Sequence, residues 1–223
     1  MSEPLPILRL LQLADSAVPI GGAAHSFGLE SLVGEELLDA GSAPEFFRCY
    51  LEESGLLDAC FCRASHARSE PWLALNRQVA ALKPARESRM ASATLGRRFL
   101  QLAASLSADS ALSEALSESA EDGGEVHLST AFGLAGARIG VDAITTGVAL
   151  LHQSIGAMIS ALQRLLPLGQ SAAAAMLWRL KPLIVETVER SMLLSHRDAP
   201  CFAGGLDLAS MRHAHLGTRL FIS

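Results

Sequence analysis

Two histidines near the end of the chain, His213 and His215, stand one residue apart in "SMRHAHLG". Imidazoles so placed can chelate nickel, zinc or copper, with Cys201 as a third donor. His-x-His by itself is an incomplete donor set, and the expectation is no resident metal. The remaining histidines are scattered, and His152 reads as a core histidine at the edge of an apolar stripe. Cys60 and Cys62 form Cys-x-Cys, but residues two apart on a helix point to nearly opposite sides, which is poor chelation geometry. Cys49 and Cys60 fall on one helical face and read as small buried hydrophobes.

The stretch "SAVPIGGAAHSFGLES", residues 16–31, is the other candidate for chemistry. A phosphate loop needs Gly-x-x-x-x-Gly-Lys-Ser/Thr after a strand, so that amides and a lysine meet the phosphates. Here Gly28 is followed by Leu29 and Glu30, no lysine is near, and an acid would repel phosphate. The loop reads instead as a hinge. Pro19 ends the first helix, Gly21 and Gly22 permit a turn most residues cannot make, and Ser26 caps a helix beginning near Phe27. Neither Ser26 nor Ser210 has a nucleophile-elbow setting, and no carboxylate pair stands out. The residues therefore describe a binding protein, not an enzyme, and no cofactor is expected.

These residues need a frame, and the pattern predicts an all-α one. No run alternates apolar and polar residues with β-branched enrichment. Ser42 and Glu45 have capping-box spacing at the head of one helix, and Ser69 reads as the cap of another, which Pro84 ends. Met90, Leu95, Phe99, Leu102 and Leu106 line a third. A polar, acidic helix over roughly 109–121 stops at Gly123-Gly124. Ile144, Val148, Leu151, Ile155, Met158 or Ile159, Leu162 and Leu165 recur at three- and four-residue steps and mark a central helix. Pro167 and Gly169 break it before a last long helix over about 170–195. The expected architecture is one domain over 1–223, a bundle of about eight to ten helices, with a non-helical C-terminal tail over 198–223.

Composition agrees. Half of the 223 residues are hydrophobic and only 5% are aromatic, so small aliphatic side chains must fill the core. A net charge of −5 argues against nucleic acid as a partner. Five basic residues lie between Lys83 and Arg98, against Glu87 alone, and six acids lie between Asp109 and Glu125. They read as solvated faces or as oppositely charged docking patches. Residues 143–163 carry no formal charge, yet Thr145, His152, Gln153 and Ser160 make them too polar for the usual membrane span. The N-terminus has no basic region before its apolar run, so no signal peptide is expected, and the four cysteines are expected to be reduced thiols of a cytoplasmic protein.

Five blocks, in order along nearly the whole chain, resemble the UreF family of urease accessory proteins. They are "LLQLADSAVPIGGAAHSFGLE", "ARESRMASATLGRRFLQL" through Glu87, Arg89, Gly96 and Arg97, "HLSTAFGLAGARIG" through His127, Phe132 and Gly133, "RLLPLGQ", and "DLASMRHAHLGTRLFIS". The resemblance implies an all-α, non-catalytic, cytoplasmic chaperone for nickel insertion, dimeric within a larger complex. Its implied partners are UreD (also called UreH), the UreG GTPase and urease apoprotein, with no nucleic acid and no membrane. It also implies that partner contacts fall on Pro19, Gly21, Gly22, His25, Ser26, Arg164 and Gln170. In the tail they fall on Met211, Arg212, His213, Arg219, Leu220, Phe221 and Ser223. The chain departs from the family at Ala23 and His25, where an aromatic and a tyrosine are common, at Ala214–Gly217, and at Ile222. Two competing readings are a nickel metallochaperone acting through His213 and His215 and a helical adaptor unrelated to urease. A third role would have Arg86, Arg89, Arg97 or Arg98 reach the GTPase transition state. An apolar, basic tail is costly to leave exposed, so it must order on a partner or pack back on its own body.

Overall fold

The structure, a computed structural model, describes residues 4–199 and 204–222. Among these, helices account for all regular structure. They are α1 (Pro4–Leu13), α2 (Leu29–Gly34), α3 (Ala43–Tyr50), α4 (Leu56–His66), α5 (Trp72–Leu82), α6 (Arg86–Ser107), α7 (Ser110–Glu121), α8 (Leu128–Ile139), α9 (Ala143–Leu165), α10 (Gln170–Met192) and α11 (Gly204–His213). A π turn, Leu51–Gly55, joins α3 to α4 without a break, so the two form one rod and the described residues hold ten helices. That matches the expected bundle. The tail differs: α11 lies inside the region expected to be non-helical.

The rod explains a further correction. A π turn holds one more residue than an α turn, which rotates everything beyond it by about 100°. Cys49 and Cys60 therefore do not share a face, and Cys49 is exposed while Cys60 and Cys62 are buried. Burial pushes the Cys60 thiol up to about 11 and the Cys62 thiol upward as well. No residue from 51 to 66 is exposed, so α4 is surrounded, chiefly by α5, α8, α9 and α10. It shares the centre with α9, whose Leu151, Ile155, Met158, Ile159 and Leu162 point inward as the stripe predicts, whereas Ile144 faces out. By length and composition α9 could cross a membrane, but its packing against α2, α4, α8 and α10 makes it a core helix.

Small residues set the spacing. Gly133 of α8 lies so close to the Cys62 carbonyl that any Cβ there would collide with it. Phe132 stacks on Phe99 of α6 with ring centroids 4.7 Å apart. Asp109 and Asp142 cap α7 and α9 by accepting from Ala111, Leu112 and Thr145 amides. The other expected caps are not used. Ser42 bonds Asp39 instead of capping α3, Ser69 bonds the Ala64 carbonyl, and Ser26 does not cap α2, whose N-cap is Gly28. Helix α1 stops at Leu13, six residues before Pro19. Of the expected α6 stripe, Met90 and Leu106 face outward, whereas Leu95 and Phe99, with Leu100 and Ala103, face the core.

Candidate partner-docking site

The loop after α1 and the end of the chain meet on one side of the bundle. Phe27 (φ 54°) and Gly28 (φ 86°) take left-handed backbone conformations just before α2. At Gly28 the space of a side chain is filled by α11, with Ser210 Oγ 3.0 Å and Leu206 O 3.3 Å from where a Cβ would stand. Only glycine permits that approach. Ser210 Oγ is also 2.8 Å from Ser88 Oγ, which ties α11 to α6.

Glu30, in the first turn of α2, is 7% exposed. A buried carboxylate must be matched by donors, and here the tail brings three. His213 Nε2 donates to Oε2 at 2.7 Å, the Leu220 amide to Oε1 at 2.6 Å, and the Phe221 amide to Oε2 at 3.3 Å. A carboxylate only accepts, so the imidazole proton is assigned to Nε2; Nδ1 has no hydrogen-bond partner among the described residues. Around this clamp, the Ile222 amide donates to the Ala24 carbonyl at 2.8 Å. Arg164 Nη2 donates to the Ala23 carbonyl at 2.6 Å, and its guanidinium sits 4.1 Å from the Phe221 ring centroid, a cation–π contact. Arg212 pairs with Glu35 at 2.7 Å. Beside Gly21, Arg98 Nη1 reaches the Ile20 carbonyl at 3.3 Å. His25 is buried, and burial together with the Arg98 charge lowers its pKa, which favours the neutral imidazole.

The three segments that sequence alone linked only by resemblance are thus one structure. Gly21, His25, Ser26, Arg164, Arg212, His213, Leu220 and Phe221 belong to it. Pro19 and Gly22 lie in the same loop, while Gln170 opens α10, exposed. Met211, Arg219 and Leu220 face solvent with Leu208 and Ile222, and Leu220 and Ile222 are 68% and 72% exposed. Cys201 and Ser223 lie outside the described residues. His213 and His215 part company: the first is fully buried on Glu30, the second is exposed. Among the described residues no three His, Cys, Asp or Glu side chains gather to hold a metal. Arg89 and Arg97 hold the Lys83 and Gly124 carbonyls of this chain.

From sequence Glu30 counts only against a phosphate loop and Arg98 only as a candidate GTPase arginine; neither reads as a contact that holds the loop and tail together. The signal for Glu30 was present, since it is the one acid in residues 16–31. Its partners, though, are 183 to 191 residues away.

Residues 37–181 match the UreF family. The chain belongs to the UreF family. A UreF urease accessory protein of Bradyrhizobium sp. strain ORS 278 is 33% identical over 229 residues, covering all of this chain and 94% of that protein. Those of Geobacillus kaustophilus and Nostoc sp. strain PCC 7120 are 29% and 30% identical, each over 97% of this chain and 98% and 95% of theirs. Glu30, His213, Leu220 and Phe221 lie outside residues 37–181, but the Bradyrhizobium alignment covers all of this chain and so includes them.

Proposed function

We propose that this chain is a cytoplasmic urease accessory protein acting without catalysis in assembly of the nickel centre. In this reading it is a homodimeric scaffold that binds UreD (UreH), recruits the UreG GTPase and docks on urease apoprotein. One observation carries the reading. The tail is folded down by Glu30 so that its inner side chains are spent on this chain's own loop, while Leu208, Met211, Leu220 and Ile222 stay exposed. Exposed apolar side chains on an ordered tail suit docking of another protein. The UreF family membership and the three free cysteines among the described residues are in keeping with it.

The test is co-expression with urease and its accessory proteins, with and without this chain, reading urease activity and nickel content. Leu220→Asp with Ile222→Asp should leave helical circular dichroism intact and abolish co-purification with UreD. Full activation without the chain would overturn the reading, and unchanged co-purification would remove the tail from it.

A further inference from the structure

The loop after α1 does not close fully on α9. Between them lies a cavity of about 170 Å³. The residue types account for it. Helix α9 offers Ala157 and Ser160 there, and the loop answers with Ala17, Gly22 and Ala23, so neither side has a side chain long enough to fill the gap. Val18, Ile20, Phe27, Leu95 and Leu128 supply the rest of an apolar wall. Among the described residues no Asp, Glu, Lys, Arg, His or Cys lines it. A metal ion or an anion would find no partner in such a wall, so the guest it suits is neutral.

One polar group in the wall is left over. Gln153 is 6% exposed, and its Nε2 donates to the Leu13 carbonyl at 3.2 Å. A carbonyl only accepts, which fixes the amide and leaves Oε1 on its other side. Oε1 is buried and has no hydrogen-bond partner among the described residues. A buried acceptor without a donor is unfavourable, and a guest carrying an N–H or O–H relieves it. Size sets the rest. An apolar cavity of roughly 150 Å³ stays dry and takes up benzene, so this one has room for a ring with a donor attached.

We propose that the cavity is a binding site for a small neutral molecule with one or two aromatic rings and a single N–H or O–H directed at Gln153 Oε1. Its occupancy also steadies the clamp. Ala23, in the same wall, gives its carbonyl to Arg164, and the next residue, Ala24, gives its carbonyl to the Ile222 amide. The site stands apart from the urease reading, and its test uses the chain alone.

Indole and benzofuran are the probes, since they share one shape and indole has an N–H where benzofuran has an ether oxygen. In a methyl NMR titration of the full chain, indole should shift Val18, Ile20 and Leu95 with a dissociation constant of about 1 mM or below. Benzofuran should bind about tenfold more weakly. Ala157→Leu should fill the cavity and abolish both, with helical circular dichroism unchanged, and Gln153→Met should bring the two probes to equal affinity. Bound indole should slow deuterium uptake over 204–222. If Ala157→Leu does not fold, the comparison of the two probes on the wild-type chain decides alone. Indole that fails to bind below about 10 mM, binds Ala157→Leu as it binds the wild type, or binds no better than benzofuran would overturn the site. Unchanged uptake at saturation would overturn its link to the clamp.

Discussion

Two buried histidines, built into different regions, show two ways of hiding an imidazole. His213 is set against the Glu30 carboxylate, and the pair is closed by two backbone amides at the surface end of the molecule. His127 sits in the bundle, where α5, α6 and α8 meet. Its amide donates to Asn76 Oδ1 at 2.8 Å, its Nδ1 faces Ser92 Oγ at 3.2 Å, and Thr130 Oγ1 donates to the same Asn76 oxygen at 2.7 Å. Glu125 Oε2 is 3.2 Å from Nε2, but the neighbourhood is dominated by burial and by Lys83 and Arg89. These drive the His127 pKa from 6.5 down to about 3. One histidine is part of a closure made with charge. The other is a neutral strut.

The comparison is broken most severely at Glu30. Glu30→Ala leaves an imidazole and two amides without their acceptor, which should cost about 3 kcal/mol. Protease cleavage within 204–222 should accelerate sharply, while far-ultraviolet circular dichroism should lose only α2 and α11. If the tail stays as protected as in the wild type, the clamp is not what holds it.

The next effect belongs to His127. Because its folded pKa lies below the unfolded value, the unfolded chain takes up a proton that the folded chain refuses. Stability is then full above pH 6.5 and falls with pH toward about 3. Denaturation at pH 7.5 and pH 5 should differ by about 2 kcal/mol from this group, and His127→Gln should remove that part. An unaltered slope in the variant would show that His127 is not the titrating group.

Smaller still is Arg164→Met, which keeps the aliphatic stem but deletes the ring contact with Phe221 and the bond to Ala23. About 1 kcal/mol is expected, read as earlier melting of the tail. Least of all is His215→Ala. Calorimetric titration with Ni²⁺ should give the same isotherm with and without it, because a metal at His213 would first have to displace Glu30. A loss of nickel binding in either histidine variant would revive the metallochaperone reading.

Much of the bundle could be read from residues close in sequence. The α9 stripe, the Gly123-Gly124 stop and the Pro84 boundary rest on interactions within a few residues. The departures have both near and distant causes. Ser42 had a nearer partner in Asp39 than the end of α3. Ser26 lost its capping role because α11 presses on Gly28. The π turn at 51–55 leaves no mark in residue types, and it takes Cys49 and Cys60 off a common face. The candidate site was legible as three separate motifs. Their union was not, since nothing in residues 16–31 announces which donors will reach Glu30.

The same distance has a kinetic consequence. Contacts joining residue 30 to residues 213–221 close almost the largest loop the chain can make, and such closures form late. The bundle from α3 to α10 can condense first, with Glu30 still hydrated, and the last segment is then captured as a final, separate event. Opening runs in reverse. Thermal motion should loosen 204–222 well before the core exchanges its amide protons, so deuterium uptake there reports the strength of the clamp alone.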